Sequence, residues 1–421
     1  MFNYLLYLLG FIFLIKEIKL INIISIPIYK SSPSNLNEFS EFIDINIFTN
    51  IKIGNRLETI NLSLSYEIES MIIREEFKPN SSIITQYIGS YLYRNEYTVT
   101  YKCNDTLFLQ VINLKKNLEK KKDLSIEEYI YQSIAKYNNL KINKINFLGL
   151  SSIIPKMGIS SNLIKELKEK QLIDSYSFSI EFLDDNNGRL IIGGMPHEYD
   201  YKYEEKYFIY EQIKFKDWHL TFNNISHEKN NEYLINKEGN LTLSYYGLVS
   251  SSSYQQLIDK IFFNILFEEN KCEKKFNIGE EKVIVYVCDD GIDITKFPKI
   301  LFKDESLNFT FTFEGKELFR KISNNKLIFL IHFGNDENIW KLGEIFIKKY
   351  QLVYNYDKKI IGLYSQKLEK SYIHYFIYFL LILIIIILLY FLIMNRKKVF
   401  RKIRANELED SYDYLPNEKL T

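Results

Sequence analysis

Short runs in which β-branched and aromatic residues alternate with polar ones dominate the middle of the chain: YTVTY at 97–101, YSFSIEFL at 176–183 and LNFTFTFEG at 307–315. Alternation with a period of two turns one face of a strand toward a core, so each run predicts a half-buried β-strand. Helical spacing is rarer. Asn162–Gln171, opened by Ser160 and Ser161, and Tyr254–Leu266, opened by Ser251–Ser253, follow residues suited to an N-cap and predict helices. The lysine-rich stretch NLKKNLEKKKDLS at 113–125 predicts a solvated loop and not a binding tract. The pattern therefore describes a mostly β protein with a few helices.

The two ends are patterned for a membrane. Tyr4–Ile15 is an apolar run of the length of a signal-peptide core, followed by Lys16 and Lys19, and residues 1–25 are read as a signal peptide with a short leader over 26–40. Tyr372–Met394 is almost wholly apolar. At a rise of ~1.5 Å per residue it is long enough for a ~30 Å hydrocarbon layer and predicts a transmembrane helix. Arg396, Lys397, Lys398, Arg401, Lys402 and Arg404 follow the span, whereas Lys367 and Lys370 beside Glu369 precede it. That asymmetry puts the tail, 395–421, in the cytosol and the rest in the lumen or outside the cell, on a membrane of the secretory pathway or the cell surface. Within the tail, Tyr412-Asp-Tyr-Leu415 has the form of a tyrosine-based sorting signal or is part of an acidic, disordered stub.

Composition narrows the chemistry. Fifty-four basic and 53 acidic residues leave no general attraction for nucleic acid. Three cysteines without a Cys-x-x-Cys, and five histidines (His197, His219, His227, His332, His374) without a His-x-x-x-His, offer no zinc-binding spacing. No metal and no cofactor is expected. Six sequons, at Asn61, Asn80, Asn104, Asn224, Asn240 and Asn308, are candidates for glycosylation in a secretory lumen.

Four stretches carry a family resemblance. FLGLSSIIPKMGISSNLIKELKEKQLIDSYSFSIEFLDDNNGRLIIGGMPHEY (147–199), DWHLTFNNI (217–225), IWKLGEIFIKKYQLVYNYDKKIIGLYS (339–365) and TNIKIG (49–54) resemble the pepsin family of aspartic proteases over roughly residues 41–366. The resemblance implies a bilobal, mostly β pepsin-like fold with a central cleft: an N-terminal lobe over 41–200 and a C-terminal lobe over 201–366. It also implies a disulfide between Cys272 and Cys288 in the second lobe, consistent with an oxidising lumen. Tyr101 matches the family's flap tyrosine, although Lys102, Cys103 and Asn104 replace the flap's glycine-rich tip.

One phrase occurs nearly twice, NLSLSYE at Asn61–Glu67 and NLTLSYYG at Asn240–Gly247, as a duplicated unit would write it. In the resembling family each lobe contributes an Asp-(Thr/Ser)-Gly loop, and the repeat puts Ser65 and Ser244 at the aspartate positions. Tyr66 and Tyr245 then replace the Thr/Ser, and Glu67 and Tyr246 the glycine. No Asp-Thr-Gly or Asp-Ser-Gly occurs anywhere in the chain. Two nearby carboxylates share one proton and so activate water, a task a pair of hydroxyls cannot perform near neutral pH.

Three functions remain open. The first is a catalytically inactive, membrane-anchored, pepsin-like protein whose cleft, lined by Tyr66, Tyr101 and Tyr245, holds a peptide or protein partner. The second is a structural or adhesion protein whose cleft is filled by its own side chains. The third is an aspartic-type endopeptidase with a non-standard catalytic site.

Overall fold

The computed structural model describes residues 22–396 apart from 31–46, 55–56, 69, 75–82, 94–95, 116–117, 137–145, 152–161, 214–217, 229, 279–282, 323–324, 335–338, 369–378, 392 and 394. Tyr4–Ile15, Asn80, Tyr412 and Leu415 lie outside the described residues.

Residues 1–366 form one unit and 367–421 another. The first is built from two sheets, of 13 and 11 strands. The expected strands are present: Ser177–Phe182 and Phe309–Phe313 run where the alternating patterns put them. Both helices are present as well. Asn162 caps Leu163–Glu169 by accepting the amides of Ile164 and Lys165, and Ser251 caps Ser252–Ile258 by accepting that of Tyr254. These side-chain oxygens satisfy donors that a helix's first turn leaves open.

Two readings of the chain change. Ile23–Lys30, read as the end of the signal peptide and the start of the leader, is a strand inside the large sheet, paired with Asn187–Ile192 and Glu96–Lys115. Its sequence IISIPIYK buries Ile23, Ile24, Ile26 and Ile28, which a detached leader would leave in water. The lysine-rich stretch is not a loop but the tip of a long hairpin, in which Glu96–Lys115 pairs antiparallel with Leu118–Lys136. Leu109, Val111 and Leu124 are buried there, while Lys120, Lys121 and Lys122 face solvent, so the lysines mark the outer surface of a paired ribbon. Phe208–Gln212, Val353–Asn355 and Ile360–Tyr364 extend the sheet that holds the N-terminal strands. Pairing between strands so far apart in sequence leaves no local signal.

Cys272 and Cys288 face each other on adjacent antiparallel strands and are joined in a disulfide. Cys103 is buried. In the second unit, residues 379–391 are helical, with the apolar side chains from Phe379 to Phe391 exposed. Among the described residues no helix is long and apolar enough to cross a membrane, and 372–378 lie outside them.

Candidate functional site

Two loops of like construction face the question of chemistry. The first follows the strand Glu58–Ser65, which runs parallel to Asn146–Gly149 with Ser65 opposite Gly149. The amide of Glu67 donates to Ser65 Oγ at 3.2 Å, and Leu150 N donates to Ser65 O at 2.7 Å. Gly149 is required here, because a Cβ would stand 2.3 Å from Ile68 O.

The second loop follows Asn230–Leu241, which runs parallel to Ile339–Leu342 with Leu241 opposite Leu342. The next pair in that register is Thr242 with Gly343, and Thr242 N donates to Leu342 O at 3.1 Å. The amide of Ser244 donates to Thr242 Oγ1 at 3.2 Å. A Cβ on Gly343 would stand 2.1 Å from Gly247 O, the same crowding as at Gly149.

The counterpart of Ser65 is therefore Thr242 and not Ser244. Downstream pairing agrees: Ile72, seven residues after Ser65, sits opposite Phe147, and Val249, seven after Thr242, sits opposite Lys341. Phe147 and Lys341 each lie two residues before the crowded glycine. Ser65 (8% exposed) and Thr242 (4%) are buried, whereas Ser244 is exposed. The repeated phrase misplaces the second loop by two residues.

Tyr66 and Tyr245 do not line an open surface, being only 3% and 5% exposed. Tyr66 enters an aromatic cluster with Phe178 and Tyr354, whose rings lie 6.2 and 5.1 Å away. Burial, with Tyr354 beside it, pushes the Tyr66 hydroxyl's pKa well up, so it stays protonated. Trp218 and Tyr356 complete the cluster and tie down the chain after Gly149: Trp218 Nε1 donates to Leu150 O at 2.6 Å and Tyr356 OH to Ser151 O at 2.7 Å. Sequence reading did not anticipate these two tethers, although the tryptophan stood in a stretch that carried the resemblance. Tyr245 lies under Lys341, whose Nζ is 5.3 Å from the ring centroid. Tyr101 lies in the strand Glu96–Lys115, opposite Tyr87 and Ser133; its side chain is outside the described set.

Beside the second loop stands a carboxylate that sequence reading passed over. Glu344, immediately after Gly343, is almost fully buried and pairs with Lys30 at 2.8 Å. Its amide donates to Tyr245 O at 2.8 Å, which fixes it against the loop. Burial raises the Glu344 pKa and Lys30 opposes that rise; burial lowers the Lys30 pKa and Glu344 opposes the fall. The next side chain in the loop, Tyr246, is sandwiched by cations: Lys30 Nζ is 4.1 Å from its ring centroid, and Arg320 donates to its hydroxyl.

The histidines are engaged elsewhere. His197 Nδ1 is 2.6 Å from Tyr364 OH, His227 stacks on Tyr254, and His332 is fully buried. Among the described residues no group of three or more His, Cys, Asp or Glu side chains is placed to hold a metal ion.

Comparison with known proteins places this geometry. A family model described as Eukaryotic aspartyl protease matches residues 138–366, more than half of the chain. Among solved structures, basic 7S globulin from soybean is similar with a TM-score of 0.60 and 11% identity, over 82% of this chain and 96% of that one. Conglutin gamma, a basic 7S globulin from lupine seeds, matches with a TM-score of 0.60, 12% identity and the same coverage of both chains. No curated protein sequence matches this chain significantly.

Proposed function

The chain belongs to the eukaryotic aspartyl protease family, and from that premise we propose that it is a non-catalytic, membrane-anchored member that binds a peptide or protein partner. One observation carries the reading: the two matched loop positions hold the hydroxyls of Ser65 and Thr242, each accepting the amide two residues on. In the family these positions belong to the carboxylate pair. A proton-sharing pair needs two acids close enough that only one ionises, and neither hydroxyl titrates in the working range. The positions after them are equally altered, since Glu67 and Ser244 stand where the loop glycines belong.

The anchor is proposed from the apolar stretch 372–394 and the basic residues that follow it, with the tail cytosolic. The Cys272–Cys288 bridge fits an oxidising lumen. A signal peptide is proposed from the apolar run Tyr4–Ile15 and the lysines that follow it.

A second reading, a structural role with a closed cleft, is favoured by the burial of Tyr66 and Tyr245, which are not presented to a ligand. The deciding experiment mixes detergent-solubilised full-length protein with a diverse peptide pool from acidic to neutral pH, and mass spectrometry identifies cleaved and retained peptides. Retention without cleavage is expected. Cleavage overturns the non-catalytic reading and directs attention to Glu344; neither cleavage nor retention leaves the structural role.

A further inference from the structure

Three cations from three distant segments converge beside the second loop. Lys30 comes from the end of Ile23–Lys30, Arg320 from Phe319–Ile322 and Lys348 from the helix Glu344–Tyr350. Two carboxylates face them. Glu344 is committed to Lys30, which lies close to both of its oxygens, at 3.0 and 2.8 Å. Asp185, in the turn between Ser177–Phe182 and Asn187–Ile192, is shared: Lys348 Nζ approaches it to 2.7 Å, but Arg320 Nη2 stays 3.8 Å away. A charge-assisted hydrogen bond is made near 2.7–2.9 Å. Among the described residues, then, Arg320 has no carboxylate at hydrogen-bond distance, and its contact is with the Tyr246 hydroxyl.

The group has one more positive than negative charge and is only partly buried: the side chains of Arg320 and Lys348 are 33% and 37% exposed. Its field is felt by its members. The three cations hold the Asp185 carboxyl below the usual range, with Lys348 contributing most. Tyr246 lies buried at the centre and holds Arg320 through its hydroxyl, and Lys341 over Tyr245 adds a fourth cation along the same loop. A planar guanidinium next to a partly exposed ammonium is suited to a carboxylate, gripped by two parallel N–H donors.

We infer that Arg320 and Lys348, with Tyr246 orienting Arg320, form a subsite for a carboxylate carried by the partner peptide, either an acidic side chain or a terminal carboxyl group. This rests on the binding reading above and adds to it a ligand chemistry. Asp185 is the internal occupant that a ligand carboxylate displaces from Arg320's side of the cluster.

The test uses detergent-solubilised full-length protein and two matched pools of random dodecapeptides, one containing Asp and Glu, the other Asn and Gln in their place, both amidated at the C-terminus. A third pool, the neutral one with free C-termini, distinguishes the two sources of carboxylate. Retained peptides are quantified by mass spectrometry at low and high salt. The expectation is about tenfold enrichment of one carboxylate-bearing pool over the neutral amidated pool, corresponding to roughly 1.4 kcal/mol. That enrichment shrinks with salt, and it is lost in R320Q and K348Q with neutral-peptide retention unchanged. R320K, which keeps the charge but not the planar fork, loses most of it. Thermal melts confirm that each variant is folded. Equal retention of all pools overturns the inference and leaves the binding reading standing. Enrichment that survives both R320Q and K348Q places the recognition elsewhere and also overturns it. No retention of any pool removes the binding reading itself.

Discussion

Thr242 is the structural counterpart of Ser65: Ser65 ends, and Thr242 directly follows, a strand that runs parallel to a partner leading into a crowded glycine, and each hydroxyl accepts the amide two residues on at 3.2 Å. The tempting counterpart, Ser244, is the donor in that second bond and faces solvent. The loops are thus related by main-chain geometry rather than by the repeated letters.

Aspartate substitutions report this register. Thr242→Asp forces a carboxylate into a buried site and is expected to cost about 2 kcal/mol or more at pH 7, whereas Ser244→Asp on the surface stays within about 0.5 kcal/mol. Burial raises the pKa of the carboxyl group introduced at Thr242 in the folded state, so its penalty is present at neutral pH and fades as pH falls through that raised value. Urea unfolding of the two variants at pH 7 and pH 4 measures the difference; equal costs would return Ser244 to the matched position.

Glu344 and Lys30 form a buried pair joining the chain's first described strand to its last described helix in the β unit. Glu344→Ala strands a buried ammonium and is expected to lose about 3 kcal/mol. Lys30→Met combined with Glu344→Leu removes both charges and recovers most of that loss. If the double variant is as unstable as the single one, packing and not charge explains the effect.

His227 and His332 make stability depend on acid. Among the described residues neither has a hydrogen-bond partner for either ring nitrogen, and burial lowers each pKa to about 4. The unfolded chain binds protons at these sites from near pH 6.5, the folded one only near 4. Stability is therefore full above about 6.5 and falls through the window from 6.5 to 4, by about 3 kcal/mol per histidine at its lower end. Denaturant midpoints at pH 7.5, 5.5 and 4.5 should slope downward in the native protein and flatten in His227→Phe/His332→Leu. An unchanged slope in the variant would assign the acid sensitivity to other groups.

The sequons separate by exposure. Asn61 and Asn308 face solvent, the latter in a turn with φ of 48°, whereas Asn104 and Asn224 bury their side-chain oxygens. Protein expressed through a secretory lumen should carry glycans at Asn61 and Asn308 and none at Asn104 or Asn224, by peptide mapping before and after enzymatic deglycosylation. A glycan on Asn224 in folded protein would contradict the packing around it.

Much was legible in the chain alone. Alternation in YSFSIEFL and LNFTFTFEG determined strands, because burying one face of a strand requires a period of two. Ser251 ahead of Tyr254 determined a helix start, because an N-cap acts through the nearest amides. The absence of any Asp-Thr-Gly or Asp-Ser-Gly was likewise a property of the sequence. Local reading failed where strand pairing decides: IISIPIYK gains its place by pairing with Asn187–Ile192 and Glu96–Lys115, far along the chain, besides Ile47–Ile53, and the lysines of 120–122 appear as loop until the strand facing them across the hairpin is known. Nor could the burial of Tyr66 against Tyr354 be seen, since those rings come from opposite ends of the β unit. The loop register is the clearest division between the two kinds of information. Asn-Leu-(Ser/Thr)-Leu-Ser repeats every two residues, so a slip of two leaves each side chain on its original face and the pattern unchanged. Only the hydrogen bonds around Gly149 and Gly343, made between segments far apart in the chain, decide that Thr242 and not Ser244 answers Ser65.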